Sequence, residues 1–205
     1  ADFTELVRKN KDLKDGYSQL LPDMKLLYQE LDPIIKNRTL LAEVIGGSNV
    51  EIFLLAAYAD RLVKAFRDNG DSGYSTMESK TLAALDNFYR EYRVNVDKEL
   101  FSALTAHLEK NISTEYRADA LGSKPSTLSF DEWTEQVFKT TILTDQQRFT
   151  DAIKQGGAAF SKAMETDQAY QAFLSMKKVM DEKLSPTYNT LITKIQPLQK
   201  DYVTA

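Results

Sequence analysis

Residues 49–70 read NVEIFLLAAYADRLVKAFRDNG. Val50, Phe53, Leu54, Ala57, Arg61, Leu62, Ala65 and Phe66 fall at the three- and four-residue steps that stack side chains on one helix face. Asn49 is a favoured N-cap, and Asn69–Gly70 supplies a stop, so one amphipathic helix is expected between them. A strand of the same length would need strict alternation, which is absent.

The same period extends in both directions. Upstream, Tyr17, Leu20, Leu21, Met24, Leu27, Tyr28 and Leu31 predict a helix closed at Asp32 by Pro33. A shorter helix with Ile34, Ile35, Leu40, Leu41, Val44 and Ile45 then ends at Gly46 and Gly47. Downstream, residues 70–74 read as a loop, and Ser75 with Glu78 reads as a capping box heading a helix to about Tyr92. The next helix, from Val96 to about Lys110, shows Leu100, Phe101, Leu104 and Leu108 as its face. The Gly-, Pro-, Ser- and Thr-containing stretch 111–128 reads as an irregular connection with at most one short helical turn, where any sub-domain junction would fall.

Ser129 with Glu132 and Thr144 with Gln147 are further capping boxes. They head helices carrying Phe130, Trp133, Val137 and Phe138, and then Phe149 and Ile153, before Gly156 and Gly157. Tyr170 to Leu184 reads as one helix, with Ser185 and Pro186 as the N-cap and first residue of another, which Pro197 should kink or interrupt. Short connections between such segments make neighbours antiparallel. The expected fold is all-α, an irregular bundle of about eight to ten mostly antiparallel helices in a single helical domain over 1–205.

Composition agrees. Of 205 residues 42% are hydrophobic and 27% charged, with 8 Gly and 5 Pro, which is a globular chain with few tight turns. A net charge of −4 gives no broad attraction to nucleic acid or anionic lipid, so neither is expected as a partner. The longest apolar run, Ile52–Ala59, is far short of the roughly 20 residues of a membrane span, so no membrane insertion is expected. Zero cysteines exclude disulfides, thiolate metal sites and cysteine nucleophiles. The chain starts at Ala1 without Met and stops just after a helical pattern, which reads as a domain excised from a larger protein.

Catalytic chemistry is thinly represented. His107 is the single histidine, set mid-helix, so a nucleophile–base pair has little to draw on and a paired Glu-x-x-His metal centre cannot be built. Asp68, Asn69, Asp71 and Ser72 lack the closing Glu of a calcium loop and read as a solvated turn. No catalytic residue, no metal ligand and no cofactor is therefore expected. The one local candidate is Gly46, Gly47, Ser48 and Asn49, where backbone amides and the positive end of a helix dipole would converge on an anion or glycines would provide a hinge, although the same residues suit a plain turn between two helices better. Gly156–Gly157 is a second flexion candidate. A carboxylate dyad on facing helices stays open, because helices bring Asp and Glu together easily.

The segments GGSNVEIFLLAAYADRLVKAF, NVDKELFSALTAHLEKNI, FDEWTEQVFKTTILTDQQRF, DQAYQAFLSMKKV and IQPLQKDYVTA resemble, in order, one part of the bacterial dipeptidyl-peptidase 7 and 11 family of serine exopeptidases. The resemblance implies most of a helical domain inserted into a chymotrypsin-like double β-barrel that supplies the catalytic triad. The inserted domain would cap the active-site cleft of a secreted or periplasmic enzyme releasing N-terminal dipeptides, and would meet the peptide substrate through that barrel. It also implies a parent that is a homodimer. The family's aromatic Asn-Tyr-Trp motif has no counterpart here, so no functional residue carries over. The rival expectation is a stand-alone helical module of the cell envelope that binds a peptide or protein in an interhelical groove.

Overall fold

A computed structural model describes residues 5, 17–46 and 49–204. The fold is all-α, with no strand among the described residues. In chain order the elements are α1 (Leu20–Ile45), α2 (Glu51–Glu91), α3 (Val94–Asn111), α4 (Thr114–Ala120) and α5 (Phe130–Thr140). They continue with α6 (Gln146–Lys154), α7 (Gly157–Met164), α8 (Gln168–Lys178), a π-helical segment (Val179–Leu184) and α9 (Ser185–Thr204). The chain divides into two compact units, one drawn from 1–39 and 180–205, the other from 40–179. The 111–128 connection lies inside the second unit.

In the first unit α1 and α9 run antiparallel. Gln199 Nε2 donates to the Tyr28 hydroxyl at 2.7 Å, and the Arg38 guanidinium lies 4.0 Å from the Tyr188 ring centre, so the pairing runs in opposite directions along the two helices. Leu31, Ile34, Leu191 and Ile195 are buried.

Two prolines do less here than the sequence suggests. Pro33 lies inside an unbroken α1, not at a boundary. The missing proline amide costs about 3 kcal/mol in a helix interior. Leu31, Ile34, Leu41 and Val44 form one continuous buried stripe across it, and burial of such side chains at about 1.5–3 kcal/mol each outweighs that cost. The Asn37 amide also donates to the Pro33 carbonyl at 2.7 Å. Pro197 likewise lies inside α9, with buried Ile195 before it and the Gln199–Tyr28 bond after it. Ser185 and Pro186 do not open a fresh helix, because the π-helical segment leads directly into α9. The Thr187 hydroxyl donates to the Lys183 carbonyl at 2.8 Å there, supplying a donor beside a proline that has none.

The second unit is organised by a reversal in α2. Gly70 has φ 60° and ψ −153°, a conformation that essentially only glycine adopts, and it divides α2 into runs 51–69 and 71–91. The expected loop at 70–74 is therefore only one residue wide. Residues 71–74 are already helical, so Ser75 sits inside a helix and cannot cap one. Tyr74 is instead a core residue, its hydroxyl donating to the Ile153 carbonyl at 2.8 Å.

Around this hairpin α7, α8 and α6 pack on α2, α5 packs on α3, and α8 reaches α4 and α5. The centre is aromatic. Phe101 lies 5.3 Å from Phe53, 5.0 Å from Trp133 and 5.6 Å from Phe138, centre to centre, and Phe149 stacks on Phe160 at 6.1 Å. Trp133 is 1% exposed, as its stripe with Val137 predicts. Leu100, expected on the core face of α3, points outward instead.

The Ser129–Glu132 capping box forms in both directions. Thr144 and Gln147 do not make theirs. Asp145 is the N-cap of α6, accepting from the Arg148 amide at 2.9 Å, while Gln147 donates to Asp151. The short aspartate reaches the amide from a position one residue closer to the helix.

Candidate functional site

Gly46 is exposed, and its amide donates to the Ala42 carbonyl at 2.9 Å, closing α1. Gly47 and Ser48 lie outside the described residues. Asn49 is exposed and turns its amide back to the Glu43 carbonyl at 3.0 Å, tying the turn to α1. It is not the cap of α2. That position belongs to Val50, whose side chain makes no capping bond.

The anion at this helix start is the chain's own. Asp97 Oδ1 accepts from the Glu51 amide at 2.6 Å, and Oδ2 accepts from the Ile52 amide at 2.8 Å and the Tyr92 hydroxyl at 2.7 Å. A carboxylate from the first turn of α3 thus caps α2 from outside and supplies the negative charge that its dipole favours. Asp97 is 1% exposed. Burial pushes its carboxyl up to about 6, against the opposing pull of the Tyr92, Glu51 and Ile52 hydrogen bonds. Burial raises the Tyr92 hydroxyl too, and the neighbouring carboxylate adds to that. Sequence reasoning passed over Asp97, although a signal was present: it shares the core stripe of Phe101 and Leu108 at helical spacing, an unusual place for an acid.

The other buried acids serve structure as well. Asp167 caps α8 through the Tyr170 amide at 3.0 Å and accepts from the Thr141 hydroxyl and the Ile142 amide, joining the start of α8 to the end of α5. Asp60 pairs with Lys64 at 2.8 Å and accepts weakly from the Tyr170 hydroxyl at 3.4 Å. His107 is exposed, with Asn111 beside its ring. No group of three or more His, Cys, Asp or Glu that could hold a metal occurs among the described residues. Gly157 is a wedge: a Cβ there would lie 2.2 Å from the Phe66 ring, and Gly156 with φ 92° turns the chain into α7.

One depression of about 380 Å³ lies between α3 and α5, lined by Asn95, Lys98, Glu99, Ser102, Asp131, Thr134 and Glu135. Its polar groups are largely spent on one another. Lys98 pairs with Glu135 at 2.5 Å, and the Ser102 hydroxyl donates to Asp131 at 2.6 Å. Three acids against one lysine leave it mildly acidic, with no imidazole to activate a hydroxyl.

Over residues 1–205 the chain matches the family described as Peptidase S46. It is 23% identical over 206 aligned residues to an Asp/Glu-specific dipeptidyl-peptidase of Capnocytophaga gingivalis, covering 100% of this chain and 28% of that protein. It is 21% identical over 192 residues to an Asp/Glu-specific dipeptidyl-peptidase of Flavobacterium psychrophilum, covering 94% of this chain and 26% of that protein. The chain spans about a quarter of the length of the curated relatives it matches. This all-helical chain belongs to the peptidase S46 family.

Proposed function

We propose that this chain is the helical cap domain of a secreted or periplasmic serine dipeptidyl-peptidase, covering the active-site cleft while the rest of the protein carries the catalytic groups. The observation that carries this reading is the pairing of a family match along the whole chain with a site chemistry in which every buried acid among the described residues is engaged in capping or ion pairing. A peptidase acting through serine needs a base within hydrogen-bond reach of its nucleophile. The single imidazole here is exposed and has an asparagine for its neighbour.

A cap contributes by geometry. Closing a cleft beyond the second residue of a bound peptide admits a short free N-terminus and turns away longer chains, and excluding water strengthens the electrostatics of the reacting groups. The helical scaffold suits this role, because its packed aromatic centre resists deformation.

The test is product analysis by mass spectrometry with the full-length protein and a decapeptide supplied with either a free or an acetylated N-terminus. The expected result is release of dipeptides from the free peptide and none from the acetylated one. Internal cleavage of both peptides at equal rates would overturn the reading.

A further inference from the structure

Helix α3 carries two apolar faces, and the second has no partner within the chain's described residues. The first face, Phe101, Thr105 and Leu108 with Asp97, is buried. The second consists of Val96, Leu100, Ala103 and His107, all exposed, with Val96 at 55% and Leu100 at 37%. Their 4-3-4 spacing is the seam spacing of packed helices, and none of the four is a Lys, Arg, Asp or Glu.

A solvent-facing stripe on a surface helix ordinarily holds Lys, Glu, Arg or Asp. Here Lys98, Glu99 and Glu109 stand elsewhere around the same helix, and Lys110 closes the seam at its C-terminal end. Among the described residues of the 40–179 unit, the large exposed hydrophobic side chains are Val94, Val96 and Leu100, all within the first turns of α3. The exposure is concentrated, not scattered as incidental surface apolar residues are.

We propose that this seam is the surface on which the remainder of the parent polypeptide docks, as an apolar face packed along α3; this rests on the cap reading above. The occupant is argued from length and area. The chain spans 28% and 26% of its two relatives, so most of their length lies outside it. The seam is about 16 Å long and one side chain wide, on the order of 160 Å², against the roughly 800 Å² per partner of a stable dimer. A patch that small holds a body already tethered to the same chain, where effective concentration replaces area. A stripe with a single lysine at its end also offers little to an anionic lipid surface or to nucleic acid.

The test is thiol reactivity in the full-length protein. Val96→Cys and Ala103→Cys are compared with Glu109→Cys, which is exposed on another side of the same helix, using a small maleimide with labelling quantified by peptide mass. Valine and alanine tolerate cysteine sterically, and unchanged far-UV circular dichroism confirms that each variant is folded. The expected result is labelling at 96 and 103 about tenfold slower than at 109, as for a site that reacts only when the interface opens. Equal rates at the three sites would overturn the proposal. So would protection that disappears on dilution to a monomer, since a second copy would then be the occupant. Dipeptide release is measured on the same preparations. Release with free labelling removes the docking surface and keeps the cap reading, while protection without release from any peptide does the reverse.

Discussion

The Tyr92 hydroxyl donates to Asp97 Oδ2 at 2.7 Å, and the same oxygen accepts from the amide of Ile52 at 2.8 Å. Ile52 and Tyr92 stand at opposite ends of α2, a helix of 41 residues that would span about 60 Å if straight. Their convergence on one carboxylate requires the chain to reverse between them, and Gly70 is where it does. The reversal, the cap and the start of α3 are therefore one structural unit.

Replacing Asp97 tests that unit. Asp97→Ala leaves a buried amide, a half-buried amide and a hydroxyl without their acceptor, and a loss of about 2–4 kcal/mol is expected in urea unfolding. Asp97→Asn keeps one acceptor oxygen and should cost less.

The same residue sets a pH dependence. Its folded-state carboxyl is raised to about 6 from an ordinary 3.8, so between these values the folded chain retains a proton that the unfolded chain has released. Stability contributed by Asp97 is present below about pH 4, falls as pH rises to 6 and is level above that. The full effect is about 3 kcal/mol. Urea midpoints measured from pH 4 to 7 should show the advantage of wild type over Asp97→Asn shrinking with rising pH; a constant gap would count against this account.

Gly70→Ala meets no steric obstacle, since nothing lies within 4 Å of its added Cβ, and its cost is purely that of the backbone conformation. A destabilisation of about 1–3 kcal/mol is expected from thermal unfolding. A neutral result would mean that the turn is made differently.

Gly157→Ala tests packing instead, because its Cβ would press on the Phe66 ring. About 1–3 kcal/mol should be lost. Phe66→Leu in the same chain should recover part of it, giving a coupling energy of opposite sign in a double-mutant cycle.

Phe101→Ala removes the ring that touches Phe53, Trp133 and Phe138 and should cost about 3–5 kcal/mol. Trp133, the single tryptophan, reports it directly: its emission should be blue-shifted in the native protein and move to the red in this variant.

Helix periodicity made most of the fold legible. The expected span from Val96 to about Lys110 is observed as Val94–Asn111, the Ser129–Glu132 box forms, and Trp133 is core. Failures arose where local rules met tertiary burial. Pro33 should end a helix, but the stripe from Leu31 to Val44 carries it through. Residues 71–74 look like a loop by composition, yet Tyr74 is wanted in the core and only Gly70 needs an unusual backbone. Leu100 looked like core because sequence spacing cannot tell which of two apolar faces is covered. The sequence pointed to an anion at Gly46–Asn49, whereas the carboxylate at the start of α2 is Asp97 on the amides of Glu51 and Ile52, brought there by the fold and not by proximity in sequence.

The central claim is that this chain covers a cleft it does not itself catalyse in. It is tested most directly by replacing residues 1–205 in the full-length protein with a short Gly/Ser linker and measuring products from a free-N-terminus decapeptide and from an unfolded, N-acetylated protein. The account predicts that the intact enzyme releases dipeptides only, and that the variant loses dipeptide selectivity, cutting the blocked protein internally while its serine still reacts with an organophosphonate probe. Unchanged dipeptide release by the variant, or loss of the serine's reactivity with the probe, would contradict it.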